Sequence, residues 1–126
     1  MSEVKRFTKI VRTEEGGSAF EEDELQLDEQ RIASGVPPTL VGRMSSSADG
    51  VLFLFSATKI DSEPHPAPRR QWVVPLRGRF EVEVSNGERR RFGPGDLIFV
   101  ADTTGKGHVS SSVGEPPFEV LFVPTD

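Results

Sequence analysis

Between Arg79 and Val84 apolar and polar side chains alternate without a break, with Phe80, Val82 and Val84 on one parity and Arg79, Glu81 and Glu83 on the other. That period of two is the signature of a strand with one buried face. The Asn86-Gly87 pair just after it is the strongest short hairpin signal in the chain, since both residues tolerate the positive φ of a type I′ turn. Residues 88–92 return from that turn, and Gly93-Pro94-Gly95-Asp96 turns the chain again into the apolar run 97–100. Two linked hairpins are therefore predicted. Upstream, Phe7–Arg12 has strand composition and is short enough for a sheet edge. Within residues 18–33 Leu25 and Leu27 alternate with polar neighbours, as in a half-buried strand, and a short helix is the competing reading. Ser34–Pro38 breaks the chain before 39–44. The stretch 51–58 is apolar without alternation, which predicts a core strand buried on both faces. Pro64–Pro68 interrupts, residues 71–76 resume as far as Gly78, and a polar stretch leads to a last strand at 118–124. About eight to ten short strands at turn spacing predict an all-β sandwich or barrel with little helix.

Composition narrows this. The 126 residues are 35% hydrophobic, enough for one modest core, so a single domain over 1–126 is expected. With 12 Gly, 10 Pro and nine Phe the balance favours short strands joined by turns over a helical bundle. A formal charge of −5 repels phosphate backbones and anionic lipid, so neither nucleic acid nor a membrane is an expected partner. Arg89, Arg90 and Arg91 follow a turn and flank a strand, where long cations cover a solvated face. No segment approaches the roughly 20 apolar residues of a membrane span and the N-terminal stretch lacks an apolar signal core, so a cytoplasmic protein is expected. The chain has no cysteine, which leaves His, carboxylate, amide and backbone groups as possible metal ligands.

Two segments carry a family resemblance. Residues 65–78, HPAPRRQWVVPLRG, are similar to the first cupin motif, in which two histidines two apart precede a glutamate and a glycine. Residues 93–108, GPGDLIFVADTTGKGH, are similar to the second, in which a Pro-Gly-Asp turn leads through a strand and loop to a third histidine. The resemblance spans roughly Val51 to Val123. It implies a cupin-type double-stranded β-helix, a jelly-roll barrel over about 51–123, with strands from 1–44 packing on it or swapping with a partner. It also places His65 and His108 at two histidine-ligand positions and Gln71 at the glutamate position. The chain departs from the pattern twice: Ala67 stands where the second histidine belongs, and Gln71 is a neutral amide.

Strand parity adds its own argument, since residues two apart face one side, here His65, Ala67, Arg69, Gln71 and Val73. If that face lines the barrel, His65, Gln71 and His108 are the candidate ligands of a divalent transition metal such as Zn, Ni, Fe or Mn. Such a site is weaker than one with three histidines and a carboxylate, because the amide brings no charge and Arg69 adds a repelling one. Without a cofactor, His65 and His108 are the candidate catalytic pair for proton transfer. Arg69 and Gln71 are then the candidate ligand-binding residues, the guanidinium able to take a carboxylate through two hydrogen bonds. The plain alternative is a polar barrel interior whose groups satisfy one another, with Arg69 in a structural ion pair or facing outward. Against it, the chain has only two histidines and both fall at these positions.

The resemblance implies a small protein that acts on or binds a small molecule, an anionic metabolite included, with dioxygenase, isomerase and lyase chemistry all open. A non-catalytic ligand-binding or sensing protein without metal is the alternative. A homodimer is expected, because an open barrel edge exposes backbone groups that a symmetric copy can cover, with Phe7–Arg12 as the segment added to the partner's sheet.

Overall fold

The computed structural model describes residues 2–125. Ten strands carry the chain: β1 Ser2–Arg12, β2 Ser18–Gln30, β3 Thr39–Gly42, β4 Leu52–Ser56, β5 Gln71–Arg77, β6 Arg79–Glu83, β7 Arg89–Phe92, β8 Ile98–Val100, β9 Val109–Val113 and β10 Phe118–Pro124. There is no helix among the described residues, and none long and apolar enough to cross a membrane. Seven strands form one sheet in the order β3-β2-β1-β8-β5-β10-β4, and three form another in the order β7-β6-β9. Residues 60–65 ride on the free side of β9 through the bridges Asp61–Ser111 and His65–His108. From β4 onward the chain therefore crosses between the sheets, β4 to 60–65 to β5, then the β6-β7 hairpin, β8, β9 and β10. That is the path of a jelly roll. The expected all-β barrel is what forms, and β1–β3 extend its larger sheet beyond β8.

Parity divides the larger sheet into two apolar faces. Inside, Ile10, Ala67, Val82, Val84, Phe92, Ile98 and Val100 form the buried core with Phe20 and Val73 against it. On the opposite face Trp72 meets the rings of Phe7 and Phe99 edge-on, at centroid distances of 4.8 and 4.9 Å. Leu25, Met44 and Val123 pack against that trio.

Three local expectations change, and one open choice is decided for the strand reading. Phe7–Arg12 belongs to a long strand inside the sheet, because β1 pairs with β2 along its whole length and with β8 on its other side. Residues 18–30 are strand, which settles the competing helical reading. The hairpin after β6 uses a type I turn with a glycine bulge: Gly87 alone takes positive φ, its N–H donates to the Val84 carbonyl, and Asn86 uses its side chain to accept from Glu88 N–H. Finally, β4 is an edge strand, not a core strand. Leu52, Phe53 and Phe55 are 60%, 57% and 58% exposed, since an apolar run reports missing polar groups and not the number of layers that will cover it.

The arginine cluster does cover a solvated face. Arg89 and Arg91 pair with Glu81, Arg89 also reaches Glu83, and Arg90 pairs with Glu22 while lying over the Phe20 ring. Within the acidic run of β2, the Glu24 backbone N–H and then Lys9 hold the Asp23 carboxyl below the usual carboxylate range.

Candidate functional site

Pro66 and Pro68 have no N–H to give a ladder, so residues 65–70 approach the barrel as an irregular segment and β5 starts only at Gln71. What holds the segment is a short set of backbone bonds. His65 N–H donates to the His108 carbonyl and His108 N–H to the His65 carbonyl, both at 3.1 Å, and Ala67 N–H donates to the Asp102 carbonyl at 3.0 Å. Gly107 makes the approach possible: its φ is +72°, and a Cβ there would stand 2.0 Å from the His65 carbonyl oxygen. The stretch before His108 is anchored rather than loose. Lys106 N–H donates to the Gly16 carbonyl at 2.8 Å, and the buried Ser18 hydroxyl donates to the Gly107 carbonyl at 2.6 Å.

Between the sheets lies a cavity of about 510 Å³. Its walls are largely apolar, with Ile10, Leu54, Val73, Phe80, Val120 and Phe122 among them, while His65, Arg69, Gln71 and His108 line it together with Ser62 and Ser110. All five residues of the shared parity, His65, Ala67, Arg69, Gln71 and Val73, border this one space. They do not share one environment. His108 and Gln71 are each 7% exposed, whereas His65 is at the exposed rim rather than in the interior.

The two imidazole centroids are 5.4 Å apart. His65 Nδ1 is 2.8 Å from the Glu63 carbonyl, which can only accept, so this nitrogen is the donor and Nε2 is left for other partners. His108 Nδ1 is 2.6 Å from Asp102 Oδ2, and donation to that carboxylate again leaves Nε2 as the free nitrogen. Asp102 is completely buried, and among the described residues its Oδ1 has no hydrogen-bond partner. Sequence reading missed this residue. Its one signal was position, an acid directly after an apolar strand and six residues before the motif histidine.

Arg69 reaches out of the cavity to Ser47 Oγ at 3.3 Å and to the exposed Asp49 carboxylate at 3.4 Å. Arg70 takes the other parity and stands over Phe99, 5.2 Å from the ring centroid. The Gln71 amide makes no hydrogen bond to another described residue, although the residue is buried. Trp72 and Phe80 both pack, Trp72 on the outer face and Phe80 against Phe118 at 5.6 Å.

A transition metal would have two imidazole nitrogens and one neutral amide here. Among the described residues no group of three or more His, Cys, Asp or Glu could hold an ion. Asp102, the carboxylate of the site, is engaged by His108, and Arg69 borders the same space. Two imidazoles and a neutral amide bring no negative charge to an ion, so this donor set does not fit a resident divalent metal.

No protein-family model matches the chain, and no curated protein does. Among solved structures the chain is similar to the cupin domain of Schizosaccharomyces pombe Cnp3, at 12% identity over 99% of this chain and 84% of that one, with a TM-score of 0.48. It is also similar to a Salmonella typhimurium protein assigned to ethanolamine utilization, at 13% identity over 98% and 99% of the two chains, with a TM-score of 0.38. The jelly-roll assignment rests on the chain's own strand order, which retraces the barrel that the two sequence motifs imply.

Proposed function

We propose that the barrel binds a small molecule with an apolar body and one oxygen-bearing, anionic head, the head seated among His65, Arg69, Gln71 and His108. The supporting observation is the unpartnered Gln71 amide. Gln71 as a whole is 7% exposed, and its amide opens on a cavity whose remaining surface is mostly apolar, where it is available to a ligand's polar head. The two free Nε2 atoms border the same space, and an imidazole there accepts from a protonated head or, once charged, donates to an anionic one. Arg69 supplies positive charge at the rim. Titration calorimetry with short and medium-chain carboxylic acids, against the matching alcohols, tests this. Carboxylates should bind better than alcohols, and Gln71→Leu should weaken them about tenfold or more, as expected when a buried polar partner is lost. Equal binding by Gln71→Leu would overturn the reading.

One observation favours a catalytic extension. Asp102 at 2.6 Å from His108 Nδ1 fixes the ring's tautomer and orientation, the arrangement by which a carboxylate prepares an imidazole to take and return a proton. His108 Nε2 would then remove a proton from the seated molecule while the Gln71 amide and Arg69 stabilise the oxyanion that forms, which suits isomerase or lyase chemistry. Exchange of substrate carbon-bound hydrogen for deuterium in heavy water, present in the wild type and lost in His108→Gln, would mark that step. Binding without exchange in either protein would leave a ligand-binding or sensing module.

A further inference from the structure

The polar lining of the cavity does not stop at the histidines. Ser110 follows His108 at the same strand parity on β9, and Ser62 lies beside it on the segment 60–65. Both serines line the cavity and both are half-buried. Their backbones are locked together: Ser62 N–H donates to the Ser110 carbonyl and Ser110 N–H donates to Ser62 Oγ, each at 2.8 Å. The Ser62 hydroxyl therefore has a fixed oxygen and keeps its own O–H to give. The Ser110 hydroxyl has no hydrogen-bond partner among the described residues. The walls around the two serines are apolar. Val82, opposite Ser110 on β6, is buried, and the larger sheet adds Leu54, Val73 and Val120. Among the strands of that sheet, Gln71 alone brings a polar side chain to the cavity.

We propose that the ligand is bifunctional: a carboxylic acid with a second oxygen, a ketone carbonyl or a hydroxyl, partway along its apolar chain, received by Ser110 and Ser62. This deepens the reading of an anionic head among His65, Arg69, Gln71 and His108, and it rests on that reading. Strand geometry sets the spacing. Residues two apart on an extended strand are separated by about 6.8 Å, so an oxygen held at Ser110 lies well down the wall from one held at His108. The γ and δ carbons of an acid reach that far, whereas an oxygen on the α carbon stays beside the carboxylate.

The serines decide the sign of the preference. A carbonyl moved from water into an apolar cavity loses its hydration, and without a donor there it weakens binding. Two hydroxyl donors on one wall reverse that balance. A purely aliphatic acid instead leaves the Ser110 hydroxyl against hydrocarbon, which costs affinity.

Titration calorimetry with hexanoate and its α-, γ- and δ-oxo derivatives tests the proposal. The wild type should bind the γ- or δ-oxo acid about threefold or more tighter than hexanoate, the worth of a neutral hydrogen bond. Ser110→Ala should remove that advantage and leave hexanoate and the α-oxo acid unchanged. Ser110→Thr, which keeps the hydroxyl and suits a strand, should retain it. Gln71→Leu should weaken all four acids in parallel, so losing the head site and losing the serine site read differently. Equal wild-type affinity for hexanoate and the γ- and δ-oxo acids would overturn the proposal, a comparison that needs no variant. An oxo preference that survives Ser110→Ala would overturn it too, and both results leave the carboxylate reading standing. No binding by any of the acids would overturn the two together.

Discussion

His65 and His108 exchange both backbone hydrogen bonds and border one cavity, yet one ring is exposed at the rim and the other is 7% exposed against a fully buried carboxylate. The difference comes from their carriers. His65 sits among Pro64, Pro66 and Pro68, which cannot join a ladder, and it is tied down by the partner strand's backbone. His108 enters β9 from a stretch fixed by Gly16, Ser18 and Asp102. A prepared imidazole needs an orienting partner in a dry setting, and only His108 has one. His65 contributes a nitrogen at the exposed rim of the cavity.

The sharpest way to break this comparison is at Gly107, the point where the two carriers touch. Gly107→Ala adds a Cβ 2.0 Å from the His65 carbonyl and forces a positive φ, so unfolding in denaturant should show a loss of about 3 kcal/mol or more. A wild-type midpoint would mean that the two segments can separate freely. Next in size is Asp102→Ala, which strands the buried His108 Nδ1–H and should cost about 1–3 kcal/mol. Imidazole nitrogen shifts should then show His108 losing its fixed tautomer while His65 keeps the one set by Glu63. A change at both rings would merge the two environments into one.

His65→Ala should leave stability within about 0.5 kcal/mol, as for an exposed site, while carboxylate affinity falls several-fold. A stability loss as large as that of Asp102→Ala would place His65 in the core after all. The smallest effect is expected at Arg69. Its contact with the exposed Asp49 is worth at most about 1 kcal/mol, so Arg69→Ala should barely move the melting temperature. It should reduce carboxylate binding and spare the matching alcohols, and an equal loss for both would show that the guanidinium only shapes the rim.

Much of this arrangement was legible along the chain. Alternation marked β6, turn residues marked the hairpins, and parity grouped His65, Arg69 and Gln71 as neighbours on one side, because a period of two is a local property of extended backbone. Asp102 was not legible as a partner of His108. Five residues, two of them glycines, separate them, and a contact made by a loop folding back has no period to reveal it.

By itself the sequence determined the all-β class, the turns, and the residue types available to the cavity: two imidazoles, an amide, a guanidinium and no thiol. These follow from side-chain chemistry and local backbone preference. Only the tertiary structure decided that β1 lies inside the sheet, that the apolar β4 is left at its edge, and that Asp102 reaches His108. Each is settled by which distant segment wins a place beside another, a competition among long-range pairings that local pattern does not encode.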